Sequence, residues 1–127
     1  MIGSTHYVST EEELLDWADA LTNNTSLNCV LLDDITLTED WTPVCIDGYA
    51  GTFDGRGHKI SNLKIKAQGS NCGLFFGILE NAVVKNLTVE VSCDGNHNYV
   101  GVVARTNKGT IENCHLIIQG NVSAEYE

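Results

Sequence analysis

The chain of 127 residues has little positive charge, one proline and no long apolar segment. Seven lysines and arginines stand against seventeen aspartates and glutamates, which gives a formal net charge of -10. Nucleic acids and anionic membranes attract clustered positive charge, so we expect neither as a partner. No apolar run approaches the roughly twenty residues that span a bilayer, so membrane insertion is not expected. The N-terminal segment MIGSTHYVSTEEELL also lacks the basic and apolar parts of a signal peptide.

The cysteines and histidines lack the spacing of a metal site. Five cysteines are present, an odd number, and none form a C-x-x-C pair: Cys29, Cys45, Cys72, Cys93 and Cys114. A structural zinc site is therefore not expected. Because free cysteine behaves as a small buried hydrophobe, we expect these residues to fill the core, with one disulfide as the alternative. The four histidines show no i,i+4 pair, and we expect no cofactor and no metal.

The first regular element predicted is an amphipathic helix over residues 10–23. Ser9 or Thr10 followed three residues later by a glutamate fits the capping box, in which a hydroxyl and a carboxylate each accept from a backbone N–H. An apolar stripe then follows at offsets of three, four and seven: Leu14, Trp17, Ala18 and Leu21. This stripe must pack against the segment that follows.

A second pattern recurs along the rest of the chain. Two apolar residues stand three apart and a third follows two later, as in Leu32/Ile35/Leu37, Ile60/Leu63/Ile65, Val84/Leu87/Val89 and Ile111/Cys114/Leu116. Residues an odd number apart on a strand face opposite sides, so the chain must bend if all three point inward. Each bend carries an Asp or Asn, at steps of 28, 24 and 27 residues: Asp34, Asn62, Asn86 and Asn113. A repeat of this length indicates a solenoid.

Asp and Asn suit such corners because they tolerate left-handed backbone and bond neighbouring backbone groups across a turn. Stacked from coil to coil, they can also bond one another as a ladder. We therefore predict that the four residues form one structural corner ladder and are not catalytic acids. Three glycine-led segments precede the corners, and their alignment predicts a stacked apolar file of Phe53, Phe75 and Val103.

These patterns predict an all-β fold, a right-handed parallel β-helix of about three to four coils with an N-terminal α-helical cap. The whole chain is expected to be one domain, with the cap at residues 1–28, the coils at 29–122 and a tail at 123–127. A β-sandwich is the competing architecture. It predicts hairpins but no fixed corner residue, so the repeated bend counts against it.

Several segments, in order, resemble the GLUG-motif repeats of bacterial surface and secreted proteins. The similar segments are WTPV at 41–44, GTFDGRGHKISNL at 51–63, GLF at 73–75, VKNL at 84–87 and GTIENC at 109–114. The resemblance covers roughly residues 30–122 and implies a pectate-lyase-like β-helix, adhesin-like function and an extracellular or cell-surface location. In that family the repeats are scaffold and recognition surface without shared catalytic residues. Phe76, Arg105 and Cys45 replace glycines of the pattern, and such side chains resist positive φ.

An enzymatic function is the competing hypothesis, because other parallel β-helices cleave polysaccharides with clustered carboxylates. Asp33-Asp34 is the nearest acid pair, but it lies at a predicted corner, where a turn role is favoured. Asp54 with His58 lies in a glycine-rich turn that uses Asp for local hydrogen bonds. The segment 94–98, DGNHN, could offer oxygens to calcium, yet it lacks the acid series of an EF-hand loop, so a polar surface loop is predicted.

We therefore expect a non-enzymatic structural or adhesion module that presents a β-helix face to a protein or glycan. The alternative is a polysaccharide-active lyase or hydrolase, or an accessory domain of a larger surface enzyme. The candidate binding surface consists of residue types enriched at interfaces: Tyr49, Phe76, Tyr99 and Arg105. A last coil without an evident cap would also leave a strand edge that invites homo-oligomer formation.

Overall fold

The computed structural model describes residues 5–41, 48–64, 72–91, 95–118 and 122–126. These ranges contain one helix, α1 (Glu11–Ala20), and twelve strands. The strands are β1 (Thr5–Val8), β2 (Asn28–Leu31), β3 (Ile35–Thr36), β4 (Thr52–Asp54), β5 (Lys59–Leu63), β6 (Cys72–Ile78), β7 (Val83–Lys85), β8 (Thr88–Val91), β9 (Gly95–Asn107), β10 (Thr110–Glu112), β11 (His115–Ile118) and β12 (Val122–Tyr126).

The strands form a parallel β-solenoid of about three turns. The first sheet has the order β1-β2-β4-β7-β10, the second β11-β8-β5-β3 and the third β12-β9-β6. Every pairing among the described strands is parallel. From β4 onward, consecutive strands of the chain fall in the first, second and third sheets in turn, so each of these turns contributes one strand to each sheet. The predicted all-β solenoid is confirmed, and no hairpin of the competing sandwich occurs among these pairings.

The register between turns is confirmed for the last two repeats and differs for the earlier ones. Ile111 pairs with Val84, and Leu116 pairs with Val89, as the repeat predicts. Val84 pairs next with Phe53, however, and Val89 with Ile60. Asp54 pairs with Lys85, and Lys59 pairs with Thr88. Between these two pairs the chain advances five residues in the earlier turn and three in the later one. Because the Asp54–His58 corner is longer, Ile60 pairs with Val89 and not with Val84, its counterpart in the sequence repeat.

The core holds apolar side chains from all three sheets and from α1. Four aromatic rings meet at its centre: Trp17, Tyr49, Phe53 and Phe75, each fully buried. The Trp17 ring packs edge-on against the other three, with centroid distances of 5.8, 5.2 and 6.0 Å. Phe75 pairs with Val103 in the third sheet, whereas Phe53 lies in the first. The predicted file of three is therefore correct for Phe75 and Val103 and wrong for Phe53.

The helix begins where the capping box predicts. The Thr10 Oγ1 accepts from the Glu13 backbone N–H at 3.2 Å, and the Glu13 carboxylate accepts from the Ser9 N–H at 3.0 Å. Regular helix ends at Ala20, three residues before the predicted end, and a turn follows. Leu14 and Trp17 of the predicted stripe are buried in the core, so the helix is packed against the solenoid.

A second link ties the helix start to the turn that follows β3. The Glu11 carboxylate accepts from the Thr38 hydroxyl and from the Thr38 backbone N–H, both at 2.7 Å, and from the Glu39 N–H at 3.3 Å. The Thr38 hydroxyl contributes most to holding the pKa of Glu11 below its ordinary value. These bonds fix the position of α1 relative to residues 27 positions later.

Two ends of the predicted domain plan need correction. Residues 5–8 form β1, which precedes α1 and pairs with β2, so the segment before the coils contains a strand as well as a helix. Most of the predicted tail at 123–127 lies in β12, which pairs with β9. The predicted polar surface loop at 94–98 is wrong for residues 95–98, which belong to β9; Asp94 lies outside the described residues.

Candidate functional site

Polar side chains concentrate at the corner between the first and second sheets. There the Asn113 Nδ2 donates to the Asn86 Oδ1 at 2.8 Å, and the Asn86 Nδ2 donates to the Asp54 Oδ1 at 3.2 Å. The same Asp54 oxygen accepts from the Arg56 backbone N–H at 3.0 Å. We call Asp54, Asn86 and Asn113 the corner column. It crosses three successive turns of the solenoid and joins them by side-chain amides.

The backbone explains why asparagine occupies two of these positions. Asn86 and Asn113 have φ values of 54° and 51°. That left-handed conformation puts the Cβ of most residues too close to the following carbonyl oxygen, and asparagine is among the few side chains that tolerate it. The sharp bend turns the chain from the first sheet into the second within two residues, Asn86 and Leu87. The prediction of left-handed asparagine at these corners is correct.

Asp34 and Asn62, the other two members of the predicted ladder, form their hydrogen bonds to residues outside the corner column. Asn62 also has a positive φ, of 62°, but it lies inside β5 at a register shift between Ile60 and Leu63. Its Nδ2 donates to the Leu37 carbonyl at 2.7 Å. Asp34 directly precedes β3 and bonds residues of the next turn. One ladder of four is therefore wrong, because the extra residues of the Asp54–His58 corner place Asn62 after the bend.

The acid and histidine candidates are brought together in a different combination from the predicted one. The Asp34 Oδ1 accepts from the Lys59 N–H at 3.0 Å and lies 3.1 Å from the His58 Nδ1. The bond from the Lys59 backbone, followed by that from His58, lowers the pKa of Asp34. Asp33 accepts from the Asp34 N–H at 2.8 Å. His58 thus contacts Asp34, while Asp54 belongs to the corner column.

The lowered pKa of Asp54 suits a carboxylate that accepts hydrogen bonds. Partial burial acts to raise its pKa, but the bonds from the Arg56 N–H and the Asn86 amide, together with the positive charges of Lys85 and Arg56, outweigh burial, so the pKa is lowered. A general acid needs a carboxyl group that keeps its proton near neutral pH, which requires a raised pKa. Asp34 and Asp54 are both shifted the other way. At neutral pH these carboxylates are ionised hydrogen-bond acceptors that hold neighbouring turns together.

The predicted binding surface is wrong at Tyr49. This side chain is fully buried, it stacks on Phe75 with a centroid distance of 4.7 Å, and its hydroxyl donates to the Leu27 carbonyl at 2.7 Å. Tyrosine is a residue type enriched at interfaces, which predicted an exposed side chain. In the structure the Tyr49 ring instead completes the aromatic centre of the core. Phe76 belongs to β6, and Tyr99 and Arg105 belong to β9; their side chains lie outside what the structure describes.

Two shallow cavities contain exposed residues that the sequence did not single out. One, of about 210 Å³, lies between β1 and α1 and is lined by His6, Tyr7, Val8, Glu13 and Asp16. The other, of about 270 Å³, is lined by Ala50, Leu79, Glu80, Asn81 and Lys108. Tyr7 is 57% exposed. It was missed because a four-residue strand before the helix gives too short a pattern to predict β1.

Cys29 and Cys114 are free thiols. Cys29 is buried and Cys114 is half-buried, and burial raises the pKa of both thiols. Core filling is thus confirmed for Cys29, while Cys45 and Cys93 lie outside the described residues. Within the described ranges, no three His, Cys, Asp or Glu side chains come together in a group able to hold a metal ion. No helix in the same ranges has the length and apolar character to cross a membrane.

Comparison with known proteins gives one partial likeness. The chain is 37% identical over 68 residues to halomucin of Haloquadratum walsbyi. The match covers 53% of this chain and 1% of halomucin, so the chain corresponds to a very small part of that protein. No family model matches, and no solved structure matches.

Proposed function

We propose that the chain is a non-enzymatic structural module of an extracellular or cell-surface protein, built as a right-handed parallel β-helix whose first open end is capped by α1. The corner column carries this proposal. Asp54 is the catalytic candidate of the glycine-rich corner, and its Oδ1 accepts hydrogen bonds from the Arg56 N–H and the Asn86 amide. A carboxyl group whose pKa these bonds lower gives up its proton well below neutral pH and is a poor general acid.

The proposed location rests on two likenesses. The segments at 51–63 and 109–114 resemble GLUG-motif repeats of bacterial surface and secreted proteins. The 68-residue match to halomucin supports the same location, since its name classes that protein with the mucins. A scaffold that presents neighbouring domains or ligands outside the cell accounts for both likenesses. The parallel strands supply outward side chains in register for this role, such as Lys59, Thr88 and His115.

The binding face that we propose is the β1/α1 cavity with its exposed Tyr7. An aromatic ring beside carboxylates offers a stacking surface and hydrogen-bond acceptors for the hydroxyls of a glycan. The net charge of -10 disfavours an acidic polysaccharide, so a neutral glycan is the expected partner. Binding to a neutral-glycan array should fall at least tenfold in Tyr7→Ala. Ile117→Ala, which removes another exposed apolar side chain, is the matched control and should bind as the parent does.

The alternative, a polysaccharide-active enzyme, is tested by a depolymerisation screen that measures new reducing ends. Asp54→Asn keeps an oxygen acceptor for the corner column while removing the carboxylate, and His58→Ala removes the partner of Asp34. We expect no turnover by the parent chain. Turnover that disappears in either variant while the fold persists would replace the structural proposal with the enzymatic one.

A further inference from the structure

Three Asn-x-Ser/Thr triplets begin within the described residues. Two overlap in the turn between α1 and β2, at Asn23-Asn24-Thr25 and Asn24-Thr25-Ser26, and the third is Asn86-Leu87-Thr88 in the corner column. A fourth begins at Asn121, outside the described residues. This triplet is the acceptor sequence for N-linked glycans, which are bulky and require a surface asparagine.

The turn after α1 presents its side chains to solvent on a fixed backbone. Asn24, Thr25 and Ser26 are all exposed. The Thr25 carbonyl accepts from the Ala50 N–H at 2.9 Å, and the Asn24 carbonyl accepts from the Leu27 N–H at 3.4 Å. The backbone side of the turn is closed, because a Cβ on Gly51 would lie only 2.9 Å from the Ser26 carbonyl oxygen. The open side is the one that carries the three side chains.

Asn24 has the local geometry of an acceptor. Its Oδ1 accepts from the Ser26 N–H at 3.0 Å, an Asx-turn that brings the asparagine amide next to the residue two positions on. That residue is the hydroxyl-bearing member of the triplet. The bond engages the Oδ1 and leaves the Nδ2, the atom that forms the bond to sugar, outside the hydrogen bond of the turn.

Asn86 provides the contrast within the same chain. Its Nδ2 donates to Asp54, its Oδ1 accepts from Asn113, and its backbone is held at a φ of 54°. A glycan on this nitrogen would break the bond to Asp54 and place a sugar between neighbouring turns. The two triplets are therefore equivalent in sequence, but the Asn24 side chain is exposed, whereas the Asn86 side chain is half-buried with its Nδ2 bonded to Asp54.

We infer that Asn24 is an N-glycosylation site and that Asn86 in the folded chain is not. The donor is a polyprenyl-diphosphate-linked oligosaccharide. The bond between the sugar C1 and the diphosphate oxygen breaks, and the lipid diphosphate leaves with the electron pair. The Asn24 Nδ2 forms a new bond to C1 and gives up one proton to a base of the transferase. In the cell this step requires export, so the occurrence of the glycan there rests on the proposed extracellular location.

The first experiment incubates the purified folded protein with a purified oligosaccharyltransferase and a lipid-linked oligosaccharide, and maps glycopeptides by mass spectrometry. A synthetic peptide covering residues 20–30 shows that the enzyme is active. We expect a glycan on Asn24 in the parent and in Thr25→Ala, which deletes only the Asn23 triplet. Ser26→Ala deletes only the Asn24 triplet and keeps the Ser26 N–H of the turn, so modification of Asn24 should be lost. Thr88→Ala should change nothing at Asn24.

Modification of the peptide but not of Asn24 in the folded protein would overturn the inference, as would modification of Asn23 or Asn86 in place of Asn24. Mapping of the protein isolated from its native cells gives the second measurement. If Asn24 is modified in vitro but bare in the native protein, the acceptor site stands and the occurrence of the glycan in the cell is excluded; the proposed location is then tested separately by fractionation of the native cells.

Discussion

The Asn113 side chain donates a 2.8 Å hydrogen bond to the Asn86 side chain, and both residues adopt left-handed backbone at equivalent corners of successive turns. One residue type therefore meets two demands, the bend within a turn and the bond between turns. Asp54 ends the column in a corner of a different length, where it accepts from Asn86 without needing positive φ itself. Stability should accordingly depend on Asn86 more than on either neighbour, because Asn86 is the member bonded on both sides.

Asn86→Ala should destabilise the fold by about 2–5 kcal/mol. It removes two side-chain bonds at about 0.5–1.5 kcal/mol each and places alanine in left-handed backbone at a further cost of about 1–2 kcal/mol. Asn86→Gly is the matched control, since it loses the same bonds without the strain and should recover about 1 kcal/mol. Urea unfolding measures both. Equal stability of the two variants would show that the positive φ of Asn86 carries no cost.

Gly55 and Gly57 should respond differently to alanine. A Cβ on Gly55 would overlap the Asn86 carbonyl oxygen and lie 2.8 Å from the Leu87 Cα, so the next turn of the solenoid must move. A Cβ on Gly57 meets nothing within 4 Å, and only its φ of 80° opposes the change. We expect Gly57→Ala to cost about 1–2 kcal/mol. Gly55→Ala should cost about 3 kcal/mol or more, and a thermal-melting comparison that reversed this order would contradict the packing of that corner.

Stability should fall in acid partly through Glu11. Its folded pKa lies below the ordinary value of 4.5 because the Thr38 hydroxyl and N–H bond the ionised form. A group with a lowered folded pKa contributes its full stabilisation above the ordinary pKa and loses it as the pH falls through the folded pKa. Glu11→Gln should therefore be less stable than the parent at pH 7, with a difference that shrinks below about pH 4.5.

Glu12→Gln is the control for that measurement, since Glu12 is exposed in the same helical turn and shares the proximity to the helix dipole. Unfolding free energies of the three proteins between pH 3 and pH 7 test the link between α1 and the turn after β3. A difference between Glu11→Gln and the parent that is independent of pH would rule out the carboxylate as its source.

Much of this architecture was predictable because apolar spacing and corner chemistry act locally. The Val84/Leu87/Val89 repeat and its successor at Ile111 were placed in correct register, since these two corners have the same length. The register at the Asp54–His58 corner was predicted wrongly. Two added residues cost little in a surface turn, and the apolar spacing of Ile60 and Leu63 after them resembles that of another corner. Tyr49 was misplaced for a different reason: its burial depends on Trp17 and Phe75, which are distant in sequence and meet only in the folded core.

The last turn of the solenoid allows the expected self-association to be tested with two leucines that differ in burial. Leu87 is buried in the turn before, with 1% of its surface exposed, whereas Leu116 in the last turn is only half-buried. Leu87→Ala should cost about 2–5 kcal/mol, and Leu116→Ala clearly less if the chain is a monomer, because less apolar surface leaves water there. If β10 and β11 instead pair with a second copy, Leu116→Ala should cost as much as Leu87→Ala at high protein concentration and less on dilution. Sedimentation velocity across the same concentrations separates the two cases, since a monomer throughout would exclude the dimer whatever the cost of the substitution.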